Sequence, residues 1–149
     1  MRLEALKSNS EAFSSSYEEE KEFSIEKFEN RLKEDVSFTF GAFDNRQLLG
    51  VVTLFMEKKN KLKHRANIAA MYVYPERRRS GIGRSLMIEA IQKAKEIEGI
   101  EQIYLTVVSN NKPAKSLYHF LGFNTYGIDK KALIIDHTYF DDELMVLFV

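Results

Sequence analysis

The chain has no cysteine, which excludes disulfides, thiolate metal sites and a cysteine nucleophile together. That absence fits a reducing compartment, and a cytoplasmic location is expected. Proline is almost as scarce, with only Pro75 and Pro113, and no stretch has the composition of a linker, repeat or low-complexity tail. No apolar run reaches membrane length, and "MRLEALKSNSEAFSSSYEEE" at the start lacks a signal-type apolar core, so no membrane partner is expected. Net charge is missing too: 22 basic and 22 acidic residues cancel. The global field therefore favours neither nucleic acid nor an anionic surface, and any anion site must be local.

What is present fits one domain over residues 1–149, since 149 residues at 44% hydrophobic content can bury a core. Helix formers fill residues 3 to about 34, where two helices are expected. The second starts behind Ser24, with Ile25, Phe28 and Leu32 at helical spacing. "VSFTFGAF" alternates with period two, Asp44 and Asn45 turn the chain, and "QLLGVVTLFME" returns, which predicts an antiparallel hairpin. "KKNKLKHR" carries five lysines and arginines without interleaved aromatics, as a solvated loop does. "ANIAAMYVY" then reads as a central strand bounded by Pro75. Leu86, Ala90, Ala94 and Ile97 share one helical face up to Gly99, and "QIYLTVV" is the next strand. "KPAKSLYHFL" makes a short helix ended by Gly122, and "ALIID" and "ELMVLFV" make two closing strands. The strand-helix-strand unit from 67 to 108 should be parallel and right-handed, within a mixed, mostly antiparallel α/β sheet.

The junction "YPERRRSGIGRSL" carries the chemistry. A strand that passes through a glycine turn into a helix presents unpaired N–H groups at the positive end of the helix dipole. Gly81 and Gly83 leave no Cβ between those amides and a phosphate. Arg78, Arg79 and Arg84 add positive charge at the same point. The competing reading is an ordinary turn with solvated arginines. The stretch lacks the G-K-[ST] end of a P-loop and the G-x-G-x-x-G of a dinucleotide site.

Arg78-Arg79-Ser80-Gly81-Ile82-Gly83 resembles the R/Q-x-x-G-x-G/A motif of the GNAT N-acetyltransferase superfamily. Asn111, Ala114, Leu117, Tyr118, Gly122 and Phe123 resemble that family's N-x-x-A-x-x-L-Y-x-x-x-G-F block. The resemblance implies a GNAT-like mixed sheet with helices on both faces, acetyl-CoA as co-substrate, and its pyrophosphate on the backbone amides from Arg79 to Ser85. It also implies that pantetheine pairs with main-chain groups of Met71 and Val73, where the central strand splays from its parallel neighbour. The Val73 N–H would polarise the thioester carbonyl, and Tyr118 would protonate the departing sulfur. Asn111 and Ala114 would contact the cofactor. Read from the residues alone, Asn111 is a helix cap and Tyr118 a core aromatic.

Two features depart from the family pattern. Where some members place a glutamate base, in an A-E-I step, this chain has Ala66-Asn67-Ile68, and an amide cannot take a proton at neutral pH. His64 is the candidate base that remains by intrinsic pKa; Glu57 and the solvated run Glu18, Glu19 and Glu20 are weaker ones. The usual first strand is also absent, which would leave "VSFTFGAF" with a free edge and favour a homodimer. The segment from Asp136 to Asp142 carries three acids that either attract a cationic amine or simply make a turn. The reading is an N-acetyltransferase acting by direct transfer on a small-molecule or peptide amine, with a non-catalytic acyl-CoA sensor as the alternative and no metal or nucleic acid involved.

Overall fold

The period-two stretch becomes β1 (Ser37–Asp44), which turns at Asn45, in the left-handed region with φ 53°, and returns as β2 (Gln47–Met56). β2 pairs antiparallel with β3 (Arg65–Val73), and β3 pairs parallel with β4 (Gln102–Val108). β6 (Thr138–Phe148) lies antiparallel between β4 and β5 (Asn124–Ile135), which completes the order β1-β2-β3-β4-β6-β5. A computed structural model describes residues 1–149. A helix is the first described element, and β1 is an edge of the sheet.

α4 (Ile82–Glu96) and α5 (Lys112–Phe120) cover one face of the sheet. The i, i+4 spacing of Leu86, Ala90 and Ala94, widened by Met87 and Ile91, puts all five in the core with Val52, Leu54, Ile68, Ile103 and Met145. Each large side chain so buried contributes about 1.5–3 kcal/mol.

The other face carries α1 (Arg2–Ser8), a single 3-10 turn (Ser10–Ala12), α2 (Tyr17–Glu20) and α3 (Ile25–Leu32). Where two helices were expected there are three and a turn. Serine- and asparagine-rich residues 9–16 favour caps over helix interior, and Ser16 forms a capping box with Glu19. Ser24 caps α3 as expected. The acidic run is not wholly solvated either. Glu20 is 1% exposed and its carboxylate receives Arg2 Nη2 at 2.7 Å and Arg31 Nη1 at 3.4 Å, tying α1, α2 and α3 together. Hydrogen bonding from Arg2, with the charges of Arg2 and Arg31, holds its carboxyl down at about 2. A depressed folded-state pKa means stability that is present above the ordinary value of 4.5 and is lost as pH falls toward about 2. Glu20→Ala should therefore cost about 2–3 kcal/mol at pH 7, in line with a buried charge-assisted pair, read by urea melts. The difference from the parent protein should shrink as pH drops below 4.5.

β5 starts at Asn124 rather than within the apolar "ALIID". Its first half, "NTYGIDKK", is an exposed edge, so solvent rather than a core sets its composition, and the polar sequence hides the strand.

Candidate functional site

β3 and β4 pair only over Arg65↔Gln102, Ala66↔Ile103 and Asn67↔Tyr104. Beyond Asn67 the strands diverge: β3 follows β2 and β4 follows β6. Between them opens a cleft of about 1900 Å³. The divergence coincides with a bulge, because Val51↔Tyr72 and Thr53↔Ala69 leave Ala70 and Met71 both opposite Val52. Ala70 sits at φ 52°, a conformation that costs a non-glycine residue about 1–2 kcal/mol. The extra residue changes which face each side chain meets. Ala66 and Ile68 point to the α4 side, and after the bulge Val73 does so, while the Tyr72 hydroxyl lies 3.2 Å from Ser8 Oγ of α1.

At the C-terminal end of β3 the chain enters α4 through Gly81, which is in the left-handed region at φ 85° and offers no side-chain cap. The first intrahelical bond runs from Ser85 N–H to the Gly81 carbonyl at 3.0 Å. None of the N–H groups from Arg79 through Arg84 donates to another protein group. Arg79, Gly81, Gly83 and Arg84 of this run line the cleft, at the positive end of a fifteen-residue helix, the arrangement that binds anions. Gly83 permits close packing here: a Cβ on it would lie 3.1 Å from Met71 Cε.

Ten of the expected site residues line this one cleft: Met71, Val73, Arg78, Arg79, Gly81, Gly83, Arg84, Asn111, Ala114 and Tyr118. Ser80, Ile82 and Ser85 flank it; Ser80 Oγ donates to the Arg77 carbonyl at 2.6 Å, and the Ser85 amide is already bonded within the helix. His64 is outside the cleft. It precedes β3 at the opposite end from the bulge, about 23 Å along the strand from Met71 at 3.3 Å per residue.

The arginines do different work. Arg78 turns back from the cleft mouth: its Nε donates to the Val73 carbonyl at 3.0 Å and its Nη2 to Asn9 Oδ1 at 2.7 Å, clamping the end of β3 to the N-terminal layer. Arg84 stacks over Phe120 at 4.7 Å, and Arg79, at φ 62°, is exposed. Asn111 caps α5, its Oδ1 receiving the Ala114 N–H at 3.3 Å, so the capping role read from sequence is filled. Tyr118 is 7% exposed with its ring tilted against Phe123, and its hydroxyl has no protein partner. Burial pushes that hydroxyl up to about 12.

Where β3 and β4 still pair, Asn67 donates from Nδ2 to Glu57 Oε1 at 3.0 Å; Asp142 lines the wall from β6 opposite Val108, at the end of β4 where the strands have separated. The bulge at Ala70 and the Arg78 clamp were not read from sequence; Asp142 was, but only as one of three acids in the segment from Asp136 to Asp142. The only available signal for the bulge was the parity change between Ile68 and Val73.

The family model described as "Acetyltransferase (GNAT) family" matches residues 3–123. An N-alpha-acetyltransferase of Sulfurisphaera tokodaii is 33% identical over 82 residues, which is 55% of this chain and 46% of that protein. The chain thus spans about half the length of that relative. A probable acetyltransferase from Staphylococcus epidermidis superposes with TM-score 0.80 at 26% identity, covering 99% of this chain and 91% of the other. A GCN5-related N-acetyltransferase from Kribbella flavida, at 24% identity and TM-score 0.83, covers 99% and 88% and shares the fold.

Proposed function

Because the chain belongs to the acetyltransferase (GNAT) family, we propose that it is an acetyl-CoA-dependent N-acetyltransferase that passes the acetyl group directly to a primary amine of a small molecule or peptide. The observation that carries this reading is the run of unpartnered amides from Arg79 to Arg84 at the mouth of a cleft opened by strand divergence. A diphosphate fits there, because backbone donors and a helix dipole compensate negative charge without any side chain having to move.

Acetyl-CoA supplies an activated acyl group on a thiol leaving group. The chain's residues do the rest. The bulged edge of β3, from Met71 to Val73, would offer main-chain groups to the pantetheine amides, and the Val73 N–H would donate to the thioester oxygen, where negative charge develops. Tyr118 is the proton donor, kept neutral by burial across the whole physiological range. The cleft is lined by arginines and free amides at the α4 junction and also by the carboxylates of Glu11, Glu57 and Asp142, so it offers partners to both an anionic coenzyme and a cationic amine. Direct transfer follows from composition, since no cysteine exists to carry an acyl group. The unpaired outer edge of β1 would let a second copy extend the sheet, and size-exclusion with light scattering reads this.

The test is calorimetry with acetyl-CoA, followed by CoA release assayed against peptides with free Ala, Gly, Ser or Met N-termini, spermidine and lysine. Saturable binding with turnover of at least one amine is expected. Absence of binding would reject the reading, and binding without turnover would favour an acyl-CoA sensor.

A further inference from the structure

Three carboxylates line the cleft, those of Glu11, Glu57 and Asp142. Glu57 is held by Asn67. Asp142 alone of the three has an oxygen, Oδ1, that is closed off from solvent and receives no hydrogen bond. Leaving such an oxygen uncompensated is costly, so it calls for an explanation.

The neighbouring cations do not supply one. Side chains alternate along β6, and the lysines nearby go to the residues on either side: Lys130 pairs with Asp141 at 2.7 Å, and Lys115 pairs with Glu143 at 2.5 Å. In the N-terminal layer, Arg2 and Arg31 also line the cleft but are both engaged by Glu20. The residue facing Asp142 across the β5–β6 pairing is Asp129, a like charge. On its other side Asp142 pairs with Val108, at the end of β4 where the strands have separated and next to the cap of α5. The fold thus holds a carboxylate in the cleft wall, commits Lys115, Lys130, Arg2 and Arg31 to other carboxylates, and leaves Asp142 with no cation of its own; the other buried side-chain oxygen without a partner is Ser109 Oγ, at the end of β4.

Resting on the function proposed above, we propose that Asp142 receives the acceptor amine: its carboxylate accepts an N–H from the incoming ammonium and takes the proton that must leave before the nitrogen lone pair can attack. The step balances as ammonium plus carboxylate giving neutral amine plus carboxylic acid, and the acid later returns its proton to solvent. Burial first, then the charges of Asp129 and Asp141, raises the Asp142 carboxyl above the usual aspartate range, which brings its proton affinity closer to that of an amine. The same arrangement answers the missing glutamate at Asn67: the base comes from β6 rather than from β3.

Asp142→Asn keeps the shape and removes the charge. With whichever amine of the panel above the parent protein acetylates, the acceptor KM should rise roughly 10- to 100-fold, as for a lost charge-assisted hydrogen bond. The acetyl-CoA Kd should stay within about twofold, and the thermal midpoint should hold or rise, because an uncompensated charge has gone. An unchanged acceptor KM, or a fall in thermal midpoint with no change in KM, would overturn the proposal and leave the function reading standing. Carboxyl ¹³C NMR of the parent protein provides a readout independent of variant folding: the Asp142 Cγ signal should shift on addition of that amine, and a static signal would overturn the proposal. If the parent protein acetylates none of the panel, both readings fail together.

Discussion

Gly81→Glu is expected to weaken acetyl-CoA binding by a hundredfold or more. Two effects add. At φ 85° any side chain strains the backbone by about 1–2 kcal/mol, and the new carboxylate stands among the amides that would meet the diphosphate. Two unit charges about 4 Å apart repel by roughly 4 kcal/mol at an effective dielectric of 20, and part of that is lost to salt screening. Overlap with the protein is not the cause, since a Cβ at this position meets nothing within 4 Å. Gly81→Ala therefore serves as the control: it carries the strain without the charge and should lose less than about tenfold. Calorimetry at two salt concentrations separates the terms, because only the glutamate penalty shrinks as salt rises. Equal affinities for Gly81→Glu and the parent protein would remove the anion site from this junction.

Tyr118→Phe should lower kcat by about 10²–10⁴-fold, the usual contribution of a positioned acid, with the acetyl-CoA Kd unchanged. The hydroxyl has no partner in the protein, so its removal should leave thermal stability at pH 7 intact, and a lower kcat cannot then be blamed on misfolding. The pH dependence supplies a second check. Burial pushes the hydroxyl up to about 12, so the parent enzyme should show no loss of rate from tyrosine ionisation below pH 10. A raised folded-state pKa also means that, between the ordinary 10 and about 12, the folded chain keeps a proton the unfolded chain sheds. Stability falls as pH rises through that window, and the phenylalanine variant should lack this component. A variant that turns over at the parent rate, with chemistry limiting, would reduce Tyr118 to a core aromatic.

The strands and helices around the β3–α4 junction were legible because local periodicity and backbone chemistry set them. Alternation around Phe38 and Phe40, the α4 stripe from Leu86 to Ala94, and paired glycines at a strand-to-helix junction leave traces within a few residues of one another. The polar half of β5 left no such trace, because an exposed edge strand buries neither side chain set. Glu20 looked like part of a solvated run, because its partners Arg2 and Arg31 are distant in the chain. His64 draws attention by intrinsic pKa alone, and nothing local reveals that it precedes β3 and does not line the cleft.

By itself, the sequence determined the β1–β2 hairpin, the α4 stripe, the glycine turn between β3 and α4 and the exclusion of a cysteine route, all consequences of side-chain periodicity, glycine placement and composition. Only the tertiary structure decided where β3 leaves β4, that the Ala70 bulge turns Val73 and Tyr72 to opposite layers, and that Arg78 is a clamp. It also decided that Asp142, among several acids of one segment, is the carboxylate left without a cation. The reason is physical: a residue's charge balance depends on neighbours brought from other strands, and strand pairing, unlike helical periodicity, is not written in adjacent residues.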